Sequence, residues 1–382
     1  MKIENLKLII NMHKHKVAIA MSGGVDSSTT AKILRDQGYQ CLGVFMRLGI
    51  ERGCCDEAAA RAVCQKIGIK FYPMDMKRAF NREVKEYFLQ AYQGNSTPNP
   101  CVKCNQLIKF GELLKRVQDL GCDYLATGHY VKLRRNATSC VRKSGNAKSC
   151  VPTYRIYRAK DLSKDQTYFL YNLTQTQLKH ILFPMGALIK NKVKAEALKN
   201  KLPNLKTESQ DVCFLQGEHN DYLKKYLKLK PGEIRMTDGA VVGEHQGLPL
   251  YTIGQRKGVE IGGKGPFYVV SRDFENNILY VTNNPDDPAL SGEYLLAEKV
   301  NWISGQPPKL PFNCNAVIRY RHPAQPCTIE KRRNAKSCVP TDDGVLVVKF
   351  KNPQRAITPG QSVVFYKKDE LLGGGIISNC DF

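Results

Sequence analysis

The first third of the chain alternates two hydrophobic periods. Short apolar runs stand at residues 17–20, 41–46, 69–74 and 124–127. Between them, residues 29–37, 56–67, 78–91 and 108–120 repeat apolar side chains at the three- and four-residue spacing of amphipathic helices. Strands alternating with helices of this length predict an α/β fold, a doubly wound parallel sheet. Ligands of such sheets bind beyond the carboxyl ends of the strands. That rule brings together the loop after residue 20, Met46 and Gly128-His129-Tyr130. Further helical patterns follow at 174–180 and 191–200.

From about Gly217 the period shortens to two, after one short helix at 221–227. Runs at 266–271, 278–282, 293–296, 315–320, 345–349 and 362–366 are separated by Gly, Pro, Asn and Asp. This predicts antiparallel β structure in two parts, a small central β-rich module and a C-terminal β-barrel or sandwich. Pro285-Asp286-Asp287-Pro288 reads as the hinge between them, and Gly373-Gly374-Gly375 as a tightly packed barrel strand rather than a phosphate loop. The expected division is an N-terminal extension over 1–15, an α/β domain over 16–216, a central domain over 217–287 and a barrel over 288–382.

Two stretches break these patterns. Residues 146–153 and 334–341 share the string NAKSCVPT, and residues 134–141 echo 332–339. The copies are basic and poor in core-forming residues, and each interrupts a pair of strand-like runs: 130–133 with 154–157, and 327–330 with 345–350. An inserted element tolerated at hairpin tips accounts for them, at about 134–153 and 331–341.

Composition then limits the class. Hydrophobic residues make up 42% and charged residues 24% of 382, a globular mixture with room for two or three domains. No run approaches the roughly 18 apolar residues of a membrane span, and residues 1–16 lack a signal-peptide cleavage pattern. A cytoplasmic protein with no membrane partner is the expectation. The net charge of +23 points to a polyanionic partner, nucleic acid first. The two inserts supply five and four basic residues and no acidic one, so nine of those charges belong to them. Fourteen cysteines suggest thiol or metal chemistry rather than a disulfide framework.

The chemistry centres on Ala20-Met21-Ser22-Gly23-Gly24-Val25-Asp26-Ser27, between the first strand and the first helix. Strand, glycine turn and helix aim backbone N–H groups and a positive helix end at a phosphate. A Walker-type lysine is missing. Ser22, Ser27 and Ser28 offer hydroxyl donors instead, and Asp26 could orient a loop amide or a metal. Residues 97–105 read Thr-Pro-Asn-Pro-Cys-Val-Lys-Cys-Asn, and the two prolines predict a stiff extended loop. Cys101 and Cys104 form a C-x-x-C without a clean second pair for zinc, although Cys54, Cys55 and Cys64 leave a shared metal site open. A thiol at a helix start near Lys103 and Lys109 has a lowered pKa and is a usable nucleophile. Cys213, between Val212 and Phe214, reads in isolation as a small buried hydrophobe.

Taken together these segments resemble the bacterial tRNA-specific 2-thiouridylase family. The motifs occur in order: AMSGGVDSS at 20–28, VFM at 44–46, TPNPCVKCN at 97–105, ATGHY at 126–130, KDQTYFL at 164–170, SQDVCF at 209–214, YTIGQRKG at 251–258 and IRYRH at 318–322. The glycine loop alone would indicate only the wider pyrophosphatase-loop ATPase group. The resemblance implies that ATP, with Mg²⁺, is used to adenylate the 2-oxygen of the wobble uridine of tRNA, which a persulfide then replaces with sulfur. It implies ATP contacts from residues 20–27, Met46 and Gly128, a nucleophile at Cys104 and a persulfide carrier at Cys213, with a disulfide forming between these two. It further implies tRNA contacts at His129, Lys164, Asp165, Gln166, Arg319, Tyr320 and Gln361. Base contacts would come from Asn99, Pro100 and Cys101, and sulfur from a relay protein or cysteine desulfurase. Some relatives carry aspartate at the position of Cys101, so a proton-transfer role there does not transfer. Two other readings compete: an amide-forming synthetase of the same ATPase group, and a non-catalytic RNA-binding protein with a metal at Cys101 and Cys104.

Overall fold

A computed structural model describes residues 15–50, 55–142, 148–203, 212–215, 217–259, 261, 266–332 and 344–378, with 137–142 and 148–152 described by backbone alone. Strand β1 (Lys16–Met21) is flanked by β2 (Gln40–Arg47) and β4 (Tyr124–Ala126), with β3 (Lys70–Asp75) beyond β2 and β7 (Ile181–Leu182) beyond β4. All four pairings are parallel, and Val17 stands opposite both Cys41 and Tyr124. Val17, Ala18 and Ile19 are fully buried, as expected of a strand covered on both faces by crossover helices. The chain winds outward from β1 to β3 and then restarts at β4 on the other side. The order therefore reverses between β1 and β4, where a doubly wound sheet opens its ligand crevice.

Helix α1 (Val25–Asp36) follows β1, and α2 (Glu57–Ile67) follows β2. The Asp56 side chain caps α2 by accepting from Ala59 N at 2.9 Å, and Gly68 ends it at a φ of 71°. Two longer helices come next, α3 over 77–93 and α4 over 100–119, with wide π-type turns at 81–86 and 104–113. Here the expectation of an extended loop through residue 105 fails. Pro100 is the first helical residue, where a missing N–H costs nothing, and Asn99 Oδ1 caps Val102 N at 3.4 Å. Helix α5 (Lys190–Lys199) follows β7, and α6 (His219–Tyr226) opens the central module.

That module is a four-stranded sheet in the order β10 (Tyr268–Asp273), β11 (Ile278–Thr282), β8 (Gly232–Met236), β9 (Val241–His245). It is not wholly antiparallel as expected, because β8 and β11 run parallel. β10 is antiparallel to β11 and β9 antiparallel to β8, whereas β11 lies beside β8 in the same direction.

The C-terminal strands β12 (Ser291–Trp302), β13 (Phe312–Val317), β14 (Gln325–Lys331), β15 (Leu346–Arg355), β16 (Ser362–Lys367) and β17 (Glu370–Ile377) close into a barrel through the β12–β17 pairing. The hairpin β5 (Val131–Arg142) and β6 (Lys148–Arg158) of the α/β domain extends this sheet by pairing with β17. The described part of the first repeat copy lies in that hairpin; residues 143–147 and most of the second copy lie outside the described residues. Strand β16 has two faces, as period-two structure requires. Val363 and Phe365 fill the barrel, while Val364 and Tyr366 join the core shared with Cys104, Ile108 and Tyr171. The barrel is thus welded to the α/β domain by buried side chains. No helix among the described residues is long and apolar enough to cross a membrane.

Candidate active site

The turn Ser22-Gly23-Gly24 joins β1 to α1 at the carboxyl edge of the sheet. Gly23 takes a φ of +83°, and a Cβ there would lie 2.5 Å from the Asp56 carbonyl oxygen. Only glycine satisfies both constraints. Gly24 caps α1 without a side-chain hydrogen bond, which leaves the helix start shaped for an anion. The serines hold the turn itself. Ser27 Oγ donates to Gly24 O at 3.0 Å and accepts from Ser22 N at 3.2 Å, and Ser28 Oγ donates to Gly24 O at 2.8 Å. Gly128, after β4, lies against the helix start: a Cβ there would sit 3.0 Å from Asp26 Cβ and Ser27 N.

A lysine that sequence reasoning missed stands at this loop. Lys190 Nζ lies 2.7 Å from each Asp26 carboxylate oxygen, and Tyr130 Oη donates to Asp26 Oδ1 at 2.8 Å. Lys190 begins α5, its N–H held by Asp161 Oδ2 at 2.9 Å. Burial, with Asp26 beside it, pushes the Tyr130 hydroxyl far above the usual tyrosine value, so it stays a donor. The Tyr130 N–H in turn donates to Gln166 Oε1 at 3.0 Å. No local pattern marked Lys190, because 164 positions separate it from Asp26.

Beside this loop, at the carboxyl end of β2, opens a cavity of about 580 Å³. Phe45, Met46, Leu48 and Cys55 line it, with the ion pair Arg47–Glu57 (2.7 Å) at its wall. Its size is that of a small-molecule site.

Cys104 and Cys213 lie on one buried core. Cys104 is 8% exposed at the start of the π-type turns of α4, a geometry common at functional sites. Cys213 packs half-buried on the same core, and its neighbour Phe214 stands edge-on to Phe80 at 5.9 Å and Phe88 at 5.3 Å. Residues 209–211 of that motif, like Cys54, lie outside the described residues. Lys109 ties the thiols together. Burial works against its ammonium, yet Cys104, Cys101, Cys213 and Cys55 hold its pKa above the usual lysine value. One cation therefore stands within electrostatic reach of both expected catalytic cysteines. By contrast, burial pushes the Cys41 and Cys64 thiols up to about 11, which makes them inert. Among the described residues no group of three or more His, Cys, Asp or Glu gathers as a metal site.

The residues expected at tRNA are all buried or half-buried. His129 is 9% exposed, with Nδ1 2.8 Å from Thr127 Oγ1 and its ring packed on Phe110 and Phe183. Burial and then Lys109 depress its pKa well below the ordinary imidazole value. Asp165 is buried, accepting from Ala159 N at 2.9 Å and Thr167 Oγ1 at 2.6 Å, with Arg158 at 3.7 Å. Lys164 and Arg319 are half-buried, and the Tyr320 ring packs tilted against Phe169 with centroids 4.5 Å apart. Asn99 is spent on its helix cap, Pro100 is buried and Cys101 is half-buried beside them. Gln361 Nε2 donates to the carbonyls of Thr97 at 2.9 Å and Pro98 at 3.4 Å.

Comparison with known proteins places this geometry. Residues 15–217 match the family described as tRNA methyl transferase HUP domain, 220–283 its PRC-barrel domain, and 293–377 the aminomethyltransferase beta-barrel domain. The chain is 42% identical over 374 residues to the tRNA-specific 2-thiouridylase MnmA of Halalkalibacterium halodurans, with 95% of each chain covered. It is 42% identical over 379 residues to the tRNA-specific 2-thiouridylase MnmA 2 of Caldanaerobacter subterraneus subsp. tengcongensis, covering 95% of this chain and 98% of the relative. Against the tRNA-specific 2-thiouridylase MnmA of Roseiflexus sp. the identity is 42% over 384 residues, with 95% and 99% covered. Sequence and three-part architecture agree along nearly the whole length, and the chain belongs to the tRNA-specific 2-thiouridylase family.

Proposed function

We propose that this protein is an ATP-dependent tRNA 2-thiouridylase, and that Cys104 and Cys213 exchange sulfur beside the glycine loop. The observation that supports the reading is that Cys104 and Cys213 lie on one buried core, both within electrostatic reach of Lys109, in the same domain as a glycine loop whose Asp26 pairs with Lys190. A uridine carbonyl oxygen is a poor leaving group. Its attack on the α-phosphorus of ATP releases pyrophosphate and leaves an AMP ester, which departs readily. The adenosine end would lie in the cavity by Met46, with the phosphates over residues 22–27 and Lys190. Both Asp26 oxygens already accept hydrogen bonds, so Mg²⁺ would travel on the ATP phosphates rather than on a carboxylate cage.

Sulfur transfer follows in two displacements. The terminal sulfur of a Cys213 persulfide bonds to C2 and AMP leaves. The Cys104 thiolate then attacks Cys213 Sγ, breaking the S–S bond to the tRNA sulfur and forming a Cys104–Cys213 disulfide. A thiol reductant returns both cysteines to the reduced state. Lys109 favours the thiolate forms throughout. The persulfide comes from a sulfur-carrier protein or a cysteine desulfurase, the wobble uridine leaves its stack to enter the site, and the setting is cytoplasmic. The matched family descriptions mention methyl transfer, but methyl transfer has no use for paired thiols beside an ATP loop. An amide-forming synthetase would not need them either.

The test is mass spectrometry of uridine in tRNA incubated with the protein, ATP and a persulfide donor. A 2-thiouridine product that requires ATP, Cys104 and Cys213 supports the reading. Product formation independent of either cysteine overturns it.

A further inference from the structure

The segment leading into the Cys104 helix is held from outside its own domain. Helix α3 ends at Gln93 and α4 begins at Pro100, so residues 94–99 make the connection. The link is buried at Thr97 and Pro98, where backbone groups must find partners. Gly94 N, Asn95 N and Ser96 N reach back into α3, to Gln90 O at 2.8 Å, Tyr92 O at 3.4 Å and Ala91 O at 2.8 Å. Other partners of the link come from outside the α/β domain. From the central module, Arg272 Nη2 donates to Asn95 O at 2.9 Å while its Nη1 donates to Tyr251 O at 3.0 Å. From the barrel, Pro359 O accepts from Thr97 N at 2.8 Å, and Gln361 Nε2 donates to Thr97 O and Pro98 O. Gly360, at a φ of +88°, presses so close that a Cβ would lie 2.8 Å from Ser96 Cβ and Thr97 N. Asn95 itself takes a φ of 66°, a conformation that asparagine tolerates at a cost and that surrounding contacts must hold.

We propose that Arg272 and Gln361 are positioning residues for Cys104, clamping the 94–99 link by its main-chain carbonyls from two different domains. The catalytic thiol sits on a helix whose first turn is set by Asn99, and Asn99 is set by this clamp. The central module and the barrel thereby complete the site without contributing a reacting group. Burial lowers the Arg272 guanidinium to about 10, so it remains a charged donor at neutral pH. Charge-assisted hydrogen bonds of this kind are among the stronger ones.

The experiment uses the full chain with Arg272→Met, Gln361→Met and, as a conservative control, Arg272→Lys. Hydrogen exchange followed by mass spectrometry is the first readout and does not depend on the proposed function. Exchange over 96–103 is expected to rise about tenfold in both methionine variants, with the glycine loop and strands β10 and β11 unchanged. The second readout, which rests on the thiouridylase reading, is a fall of about tenfold in thiolation kcat with KM for ATP unchanged, largely restored by Arg272→Lys. Unchanged exchange over 96–103 overturns the proposal. So does an equal rise through β10 and β11, which would mean a loosened module. So does faster exchange at 96–103 with undiminished kcat. If the unsubstituted protein thiolates no tRNA, the functional reading fails while the exchange result still judges the clamp.

Discussion

Gly23→Ala is the sharpest probe of the phosphate loop, because Gly68→Ala supplies an internal control. Both glycines are left-handed, with φ of +83° and +71°, so alanine at either pays about 1–2 kcal/mol of backbone strain. Beyond that they differ. A Cβ at Gly68 meets nothing within 4 Å, whereas at Gly23 it lands 2.5 Å from Asp56 O and 3.1 Å from Ala59 Cβ. Asp56 cannot yield cheaply. Its side chain caps α2, and its N–H donates to Ser22 O at 2.9 Å. Relief therefore moves the loop by on the order of 0.5–1 Å in a close-packed setting, and a displacement near 1 Å at a reacting centre costs roughly 100-fold. In tRNA-dependent ATP–pyrophosphate exchange, Gly23→Ala should lose about 100-fold in kcat/KM for ATP and Gly68→Ala about threefold or less. Gly23→Ala should also melt lower than Gly68→Ala, because the clash adds to the backbone strain that both share. The reasoning is refuted if Gly23→Ala exchanges pyrophosphate as well as Gly68→Ala does, or if both lose activity together.

Lys190→Met should cut ATP–pyrophosphate exchange by roughly 100–1,000-fold, as removal of a preorganised donor does. Its pair with Asp26 is partly open to solvent, at 13% and 31% exposure, so the melt should shift by the equivalent of at most about 1 kcal/mol. Lys109→Met removes the cation that favours the thiolate, so the pH profile for alkylation of Cys104 should move to higher pH. The rate at pH 7 should fall roughly tenfold, with Cys41 unaffected; an unmoved profile would remove Lys109 from the site. Cys213→Ser should abolish thiolation while leaving tRNA affinity in filter binding unchanged, and lost binding would mark the cysteine as structural. Asp165 gives a pH signature. Burial raises its folded pKa above the ordinary 3.8, so its contribution to stability is complete below that value and is lost as pH climbs through the raised one. Asp165→Asn, which cannot ionise, should therefore show a smaller loss of melting temperature between pH 4 and pH 7 than the parent. An identical pH dependence would mean that Asp165 is not titrating there.

The parallel sheet was legible because its strands and helices follow two distinct periods, and the barrel because short strand-like runs recur between Gly, Pro, Asn and Asp. What escaped reading was set by distance or brevity. β7 is two residues long, too short for any period, yet it completes the sheet and delivers Lys190. The pairing of Lys190 with Asp26 spans the domain and leaves no local trace. The two prolines of 97–105 were read as helix breakers, though Pro100 occupies the one helical position that tolerates proline. No local pattern showed which partners Asp165 and Gln361 would find within the chain. The fold gives both of them main-chain partners inside the molecule, because buried backbone groups need donors and acceptors wherever the chain can supply them.

The hairpin that joins the barrel imposes an order on biosynthesis. β6 presents Ile156 and Tyr157 to Leu371 and Glu370, and Arg158 N donates to Asp369 O at 2.8 Å. A nascent chain finishes this edge 213 residues before its partner emerges (370 − 157). At about 5–20 residues per second, the edge stays unpaired on the ribosome for roughly 10–40 s. An open strand edge is a template for aggregation. Pairing with β17 is what finally covers that edge.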